Sequence, residues 1–155
     1  MRIEHLADHL EFVQTLAEWH YREWRHLCPG ETLDDFVERL RGQAQRGGVP
    51  TAFVALEGGR PVGSASLVAH DMQGREDLSP WLASVYVAPP CRRRGIGSAL
   101  VRRVVQEAGE RHIPTIYLYT TGKANENFYV HLGWSVRERV EYVGKLRVIM
   151  EIRAS

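Results

Sequence analysis

The sequence predicts a mixed α/β fold, in which one sheet carries helices on its faces. Three observations lead to this fold class: the predicted elements follow the order β-α-α-β-β-β-α-β-α-β-β, three strands follow one another in the middle of the chain, and a hairpin closes it. A doubly wound fold would instead alternate strands and helices regularly. With 155 residues, the chain fits a single domain over residues 1–155 that can bury a substantial core.

Two helices are predicted in the N-terminal third of the chain. Asp8 caps the first helix, which extends to about residue 21. Its apolar face is formed by Leu10, Val13, Leu16 and Ala17. Thr32 or Asp34 caps the second helix, which ends near the glycine pair at residues 47–48. The inward face of the second helix is formed by Phe36, Val37 and Leu40.

Glycines and apolar runs mark the remaining elements. Strands over residues 51–57 and 61–69 are joined at Gly58 and Gly59, which is a hairpin signal. A helix over residues 98–111 has an apolar face formed by Leu100, Val101, Val104, Val105 and Ala108. The other predicted elements are strands over residues 2–6, 81–87 and 115–120, a helix over residues 123–132, and closing strands over residues 136–142 and 145–152.

Composition excludes several classes of protein. Hydrophobic residues make up 44% of the chain and charged residues 25%, as is ordinary for a globular protein. The net charge of +1 provides no general basic field for nucleic acid or an anionic membrane. Cys28 and Cys91 make neither a disulfide framework nor a metal motif. No apolar run is long enough for a signal peptide or a membrane span, so we expect a reduced, cytoplasmic setting.

A turn rich in arginine and glycine joins the strand that ends at Val87 to the next helix. The arginine–glycine turn, residues 91–98, reads Cys-Arg-Arg-Arg-Gly-Ile-Gly-Ser. Backbone N–H groups at a helix N-terminus form an anion site, and Gly95 and Gly97 have no Cβ to block a phosphate. The Ser98 hydroxyl can add a donor. The spacing matches neither common nucleotide motif, so a phosphate cradle and a solvated turn remain equal alternatives from these residues alone.

Two motifs together resemble the GNAT superfamily of N-acetyltransferases. The segment VYVAPPCRRRGIGSALVRRVV is similar to the signature segment of that family, whose core is R/Q-x-x-G-x-G/A. The segment FYVHLGW, residues 128–134, is similar to its second element, an aromatic-tyrosine pair followed by x-x-x-G-F/W. A helix and the strand TIYLYT separate the two motifs, and the order of elements resembles the family fold from end to end.

The resemblance implies that acetyl-coenzyme A is the co-substrate, with no metal. It places the pyrophosphate on the backbone amides of the arginine–glycine turn. The residues concerned are Arg93, Arg94, Gly95, Ile96, Gly97 and Ser98, with Arg92 opening the motif. The pantetheine arm pairs like an added strand with Val85, Tyr86 and Val87, where this strand splays from residues 115–120.

The resemblance also assigns chemistry. Tyr129 is the general acid that protonates the leaving thiolate, since a phenol with a pKa near 10 is protonated at neutral pH. Asn125 lies one helical turn earlier and is included among the cofactor-binding residues, although many relatives have an asparagine where this chain has Gly122. The glutamate that many relatives carry as the base is replaced by Ser84.

Other residues are candidates for the base. The carboxylates of the polar segment after the third strand are Asp71, Glu76 and Asp77. A water relay would need no side-chain base, and the weaker alternatives are His70, His131 and Tyr86.

The acceptor is left open as a small-molecule or peptide amine: a polyamine, an aminoglycoside, an amino acid or a protein N-terminus. Aromatic residues that could line its pocket are Trp19, Tyr21, Trp24 and Trp81. Acidic residues that suit a cationic amine are Glu18, Glu23, Glu31, Asp34 and Asp35. The resemblance also implies a homodimer.

Two other classes of function are alternatives to an acetyltransferase. Because Ser84 replaces the glutamate, a non-catalytic acetyl-coenzyme A sensor is the alternative. A nucleic-acid-binding module would use the arginine run, but the chain is nearly neutral and no aromatic residues interleave the arginines.

Overall fold

Seven strands form one mixed sheet in the computed structural model, which describes all residues from 1 to 155. The strands are β1 (Arg2–His5), β2 (Thr51–Glu57), β3 (Arg60–Val68), β4 (Trp81–Val87), β5 (Thr115–Thr120), β6 (Ser135–Tyr142) and β7 (Lys145–Arg153). Their order across the sheet is β1-β2-β3-β4-β5-β7-β6. Every neighbouring pair is antiparallel except β4 and β5, which are parallel. The mixed sheet predicted from the element order is confirmed.

Four α-helices pack on this sheet: α1 (Val13–Trp24), α2 (Leu33–Gln43), α3 (Ile96–Glu110) and α4 (Lys123–His131). Successive side chains of β2 point to opposite faces of the sheet, and each face has its own hydrophobic core. Phe53 and Ala55 pack with the apolar face of α3, whereas Ala52 and Val54 pack with α1 and α2. None of the helices is both long and apolar enough to cross a bilayer.

The start of the first helix differs from the prediction. Two short 3₁₀ turns, Leu6–Asp8 and Leu10–Phe12, precede α1. Asp8 does not cap the helix, because its two carboxylate oxygens accept from the Arg46 guanidinium at 2.8 and 2.7 Å. Leu10 was expected on the buried face, but it lies in the second 3₁₀ turn and is 57% exposed. A partner distant in sequence therefore replaced the local cap.

The second helix is capped by one of the two residues predicted. Thr32 is the cap: its Oγ1 accepts from the Asp35 backbone N–H at 3.2 Å, and Asp35 Oδ2 accepts from the Thr32 N–H at 2.8 Å. Asp34 lies inside the first turn. The helix ends at Gln43 rather than near the glycine pair, since the Gln45 side chain donates to the carbonyl of Gly42 at 2.9 Å and satisfies one of the last carbonyls.

The parallel pair at the centre of the sheet separates soon after it forms. β4 and β5 are bridged only at Trp81 and Tyr117, and the two strands have no further paired residues toward their C-terminal ends. Trp81 is completely buried at this point, and its Nε1 donates to the carbonyl of Leu78 at 2.7 Å. Trp81 therefore belongs to the core and not to the lining of an acceptor pocket. The splay leaves one backbone edge of β4 open to a ligand.

Candidate active site

The arginine–glycine turn presents free backbone donors at the start of α3. Gly95 precedes the helix with φ +82°, and Arg93 also has a positive φ of 65°. These left-handed conformations fold the chain so that α3 starts at Ile96, two residues earlier than predicted. None of the turn and loop hydrogen bonds of the chain uses a backbone N–H from residues 93–98 as its donor. Together with the helix dipole, these N–H groups form a site for an anion.

The three arginines of the turn have different surroundings. Arg92 lies along β4: its Nε donates to the Val87 carbonyl at 2.8 Å, and its guanidinium lies 5.6 Å from the centre of the Tyr86 ring and 3.9 Å from the Glu23 carboxylate. Arg94 forms an ion pair with Glu57 at 2.5 Å. Arg93 makes neither an ion pair nor a side-chain hydrogen bond in the chain. Arg93 is thus the guanidinium of the turn that is free to meet a phosphate, while Arg92 holds the turn against β4.

Helix α4 brings the second motif to the first. A methyl group placed at Gly97 would lie 3.6 Å from both Phe128 Cζ and Val87 Cγ2, so the start of α3 packs against α4 and β4 together. The ring of Tyr129 lies 5.0 Å from that of Phe128, centre to centre. Burial raises the pKa of the Tyr129 phenol to about 12. The hydroxyl therefore stays protonated throughout the neutral range and can act as a donor.

A β-bulge in β4 lies across the splay from Tyr129. Ser66 pairs with Ala83 and Ser64 pairs with Tyr86, so Ser84 and Val85 together face the single residue Ala65. Ser84 has a φ of 56°, which is left-handed for a residue that is not glycine. A bulge interrupts the ladder and reorients a backbone amide. Nothing in the local sequence predicted this feature, because serine has no special preference for that conformation.

A central cleft of about 1180 Å³ is lined by residues from both sides of the gap between β4 and β5. Ser84 and Val85 line it from β4, and Asn125 and Tyr129 line it from α4. The lining includes one guanidinium, that of Arg39, and five carboxylates: Glu23, Glu31, Glu38, Asp71 and Glu76. Carboxylates therefore outnumber guanidinium groups in the lining. Three of them are paired with arginines, namely Glu23 with Arg92, Glu31 with Arg39 and Glu38 with Arg41, and Asp71 and Glu76 make no ion pair.

The candidate bases separate into those that lie in the cleft and those that do not. Asp71 lines the cleft, and burial raises the pKa of its carboxyl to about 7 while Arg39 opposes the shift. Glu76 lines the cleft but is exposed and accepts from the Gly74 N–H at 3.2 Å. Asp77 lies outside, bound to Arg75 at 3.1 Å through both oxygens. Asp71 is the carboxylate whose protonation changes near neutral pH.

The three weaker candidates for the base also differ in whether they line the cleft. His70 lines the cleft and is exposed. The Nδ1 of His131 lies 2.8 Å from the Asn127 carbonyl on the exposed side of α4, outside the cleft. Tyr86 packs among aromatic rings of α1, with Trp19 at 5.7 Å and Trp24 at 6.0 Å between ring centres, and it does not line the cleft.

The acceptor side of the cleft differs in part from the sequence prediction. Of the residues predicted to face the acceptor, Trp24, Glu23 and Glu31 line the cleft. The others do not, namely Glu18, Trp19, Tyr21, Asp34, Asp35 and Trp81. Arg39, Tyr119 and Tyr142 also line the cleft, although no sequence pattern pointed to them, because they lie far apart in the chain and meet only in the folded structure. Tyr119 and Tyr142 are in edge-to-face contact, with 5.5 Å between ring centres.

A seven-stranded mixed sheet whose parallel pair β4 and β5 splays apart is the fold of acetyltransferases. Residues 13–134 match the model of the acetyltransferase (GNAT) family. The chain belongs to that family, and the family and fold expected from the two motifs are confirmed.

Solved structures share this fold over the full chain. An aminoglycoside 6'-N-acetyltransferase complexed with coenzyme A superposes with a TM-score of 0.77 and 18% identity, covering 100% of this chain and 98% of that chain. Aminoglycoside 6'-acetyltransferase type Ii has a TM-score of 0.76 and 21% identity, with the same coverage. A ribosomal-protein-alanine N-acetyltransferase from Brucella melitensis has a TM-score of 0.76 and 20% identity, covering 99% of each chain. A search of the curated proteins found no match.

Proposed function

We propose that this protein transfers the acetyl group of acetyl-coenzyme A to a primary amine by direct attack within a ternary complex. The observation that carries the proposal is the convergence of two motifs: the free amides of residues 93–98 stand at the start of α3, which packs against Phe128, and the next residue, Tyr129, lines the cleft. The coenzyme A complex of a structure with the same fold supports the choice of cofactor.

The cofactor would occupy the open edge of β4. Its pyrophosphate would accept hydrogen bonds from the backbone of residues 93–98, with the Arg93 guanidinium as the free charge beside it. Its pantetheine amides would pair with the backbone of Val85, Tyr86 and Val87, which have no partner in β5. Arg92 would contribute by holding the turn, because its Nε is already bonded to the Val87 carbonyl. Asn125 would offer its side-chain oxygen, since its amide nitrogen donates to Thr121 at 2.8 Å.

The chemistry then needs a base and an acid. Asp71 would take a proton from the incoming ammonium group, so that the neutral amine can attack the thioester carbon. Because the bulge interrupts the β3–β4 ladder at Ser84 and Val85, a backbone N–H of these residues would stabilise the carbonyl oxygen as charge develops on it. As the carbon–sulfur bond breaks, Tyr129 would give its proton to the thiolate, and the nitrogen would lose its second proton to solvent, from which Tyr129 is protonated again. The products are an N-acetyl amine and coenzyme A.

The acidic lining favours a cationic acceptor. Arg39, its one guanidinium, is paired with Glu31, whereas Asp71 and Glu76 make no ion pair and remain for the ligand. The aminoglycoside and ribosomal-protein enzymes of the same fold are named for amine substrates. We propose a small-molecule or peptide amine that carries at least one positive charge.

Calorimetric titration with coenzyme A tests the cofactor, and acetyl-coenzyme A consumption against a panel of amines tests the activity. Binding at tens of micromolar or tighter is expected, together with thiol release for at least one amine. No binding would contradict the acetyltransferase proposal. Binding without thiol release for any amine would instead support the non-catalytic sensor that the serine at position 84 suggested.

The acidic lining predicts a preference for positive charge in the acceptor. We compare 1,6-diaminohexane, 6-aminohexanol and 6-aminohexanoate, which differ in the charge at the far end. We expect kcat/KM to fall in that order, with about a tenfold difference between the first and the last, because each cation–carboxylate contact contributes about 1 kcal/mol in a partly solvated site. Equal rates for the diamine and the aminohexanoate would show that the lining does not select charge.

The role of Asp71 predicts a pH dependence. Its carboxyl accepts a proton only when ionised, so kcat/KM should rise with pH through an inflection near 7, the pKa of Asp71. Asp71→Asn should remove that inflection and lower kcat about tenfold, because water can reach the half-buried site and replace the base in part.

A matched stability measurement separates this role from a structural one. Folded Asp71 holds its proton between about pH 4 and 7, where the unfolded chain has lost it, so the contribution of Asp71 to wild-type stability falls over that range and is constant above it. Asp71→Asn should therefore have a higher Tm than wild type at pH 8. A lower Tm with an unchanged pH profile would show that Asp71 supports the fold rather than the reaction.

A further inference from the structure

Helix α4, which carries Asn125 and Tyr129, is anchored by a buried charge. Glu126 is the one fully buried residue of the helix, with 6% of its surface exposed. Phe128, Tyr129 and Leu132 pack on the core only partly buried. A nine-residue helix whose deepest side chain is a carboxylate depends on the partner of that carboxylate for its position.

That partner is Arg139 of the neighbouring strand β6. Its two terminal nitrogens donate to the two carboxylate oxygens of Glu126 at 2.9 and 3.2 Å, in a two-pronged pair. Lys123 adds a third contact at 3.3 Å from within the helix. The hydrogen bonds from Arg139 lower the pKa of the Glu126 carboxyl, so the pair is charged at neutral pH. The fork fixes both the distance and the rotation of α4 relative to the sheet.

The position of the Tyr129 hydroxyl depends on the rotation of α4 relative to the sheet. Glu126 and Tyr129 are three residues apart and therefore lie on adjacent sides of one helical turn. The Tyr129 hydroxyl makes no hydrogen bond with the chain, so the placement of its ring alone decides where it lies. The ring centre is 6.0 Å from that of Trp134, which is only 2% exposed and forms a fixed wall. A change in the rotation of α4 would move the hydroxyl along the cleft.

The N-terminal end of α4 has separate attachments. Arg147, which is 5% exposed, donates to Thr121 Oγ1 at 2.7 Å, and Asn125 donates to the Thr121 carbonyl. Loss of the Glu126–Arg139 pair should therefore turn the helix about a retained anchor rather than unfold it.

We propose that Glu126 and Arg139 are positioning residues, which hold α4 so that the Tyr129 hydroxyl lies at the leaving sulfur. This inference rests on the proposed role of Tyr129 as the acid. It assigns no contact with the substrate to either residue. It predicts an effect on kcat that passes through Tyr129 and through no other group.

A double-mutant cycle tests the proposal. Glu126→Gln should lower kcat roughly ten- to thirtyfold, since a displacement of about 1 Å in an oriented group is costly, with less than about a twofold change in coenzyme A affinity. In a Tyr129→Phe background the same substitution should have almost no further effect on kcat. The matched control is Glu151→Gln, which breaks the exposed 2.9 Å pair with Arg137 of β6 and should leave kcat unchanged.

Two further variants keep the test informative if Glu126→Gln folds poorly. Arg139→Lys keeps the charge but loses the fork, and should give an intermediate loss of kcat. The exchanged pair, Glu126→Arg with Arg139→Glu, should recover most of it. Equal losses in the two backgrounds, or no loss at all, would overturn the positioning role. An unchanged kcat in Tyr129→Phe alone would instead remove the proposed acid, a failure that the single variant identifies.

Discussion

Tyr129→Phe is expected to lower kcat about a hundredfold, while coenzyme A affinity changes by less than about twofold. The phenol is protonated at neutral pH at its ordinary pKa near 10, and burial raises that pKa further, to about 12. Its loss leaves the departing thiolate without a proton donor. The ring, which packs against Phe128 and Trp134, is retained in phenylalanine. Steady-state kinetics with the best amine of the panel, together with calorimetry, measures both quantities.

Tyr117→Phe is the control for this variant. Tyr117 lies two residues before Tyr119 on β5, packs on Trp81 with 6.0 Å between ring centres, and does not line the cleft. Its kcat should match wild type. If Tyr129→Phe turns over as fast as wild type, Tyr129 packs the core and another group protonates the sulfur.

Gly95→Val should weaken coenzyme A binding about a hundredfold. Gly95 has φ +82°, a conformation that a β-branched residue avoids. Valine would pull this residue out of the left-handed region and turn the amides that follow it away from one another. The loss of two charge-assisted hydrogen bonds to the pyrophosphate, each of about 1.5 kcal/mol, corresponds to about a hundredfold in Kd. Calorimetric titration at a fixed salt concentration measures the change.

The comparison variant is Gly144→Val. Gly144 also has a positive φ, 74°, and nothing lies within 4 Å of a Cβ placed there, but it forms the β6–β7 hairpin at the far edge of the sheet and is not part of the arginine–glycine turn. It should lose comparable stability and keep its coenzyme A affinity. If both glycine variants bind coenzyme A as wild type does, the turn is not the pyrophosphate site.

Local patterns were sufficient for most elements of the fold. The strand at residues 51–57 and the helix face around Leu100 are visible in the sequence, because the spacing of apolar residues along the chain indicates the type of element and the face that it buries. The start of α1 was predicted wrongly, since Asp8 is bound by Arg46, a residue 38 positions away in the chain. Boundaries that depend on a distant partner leave no local pattern.

The sequence by itself determined the family, the order of the elements and the two motifs that meet at the cleft. This was possible because each motif lies within a few consecutive residues: glycines in a strand-to-helix turn and an aromatic pair in a short helix can be recognised without knowing any distant contact. Only the tertiary structure decided which arginine of the turn is free, where β4 bulges, that Asp71 lies in the cleft and that the buried carboxylate of Glu126 in α4 pairs with Arg139 of β6. Each of these depends on which side chains distant in sequence become neighbours, and such contacts set burial, charge and pKa.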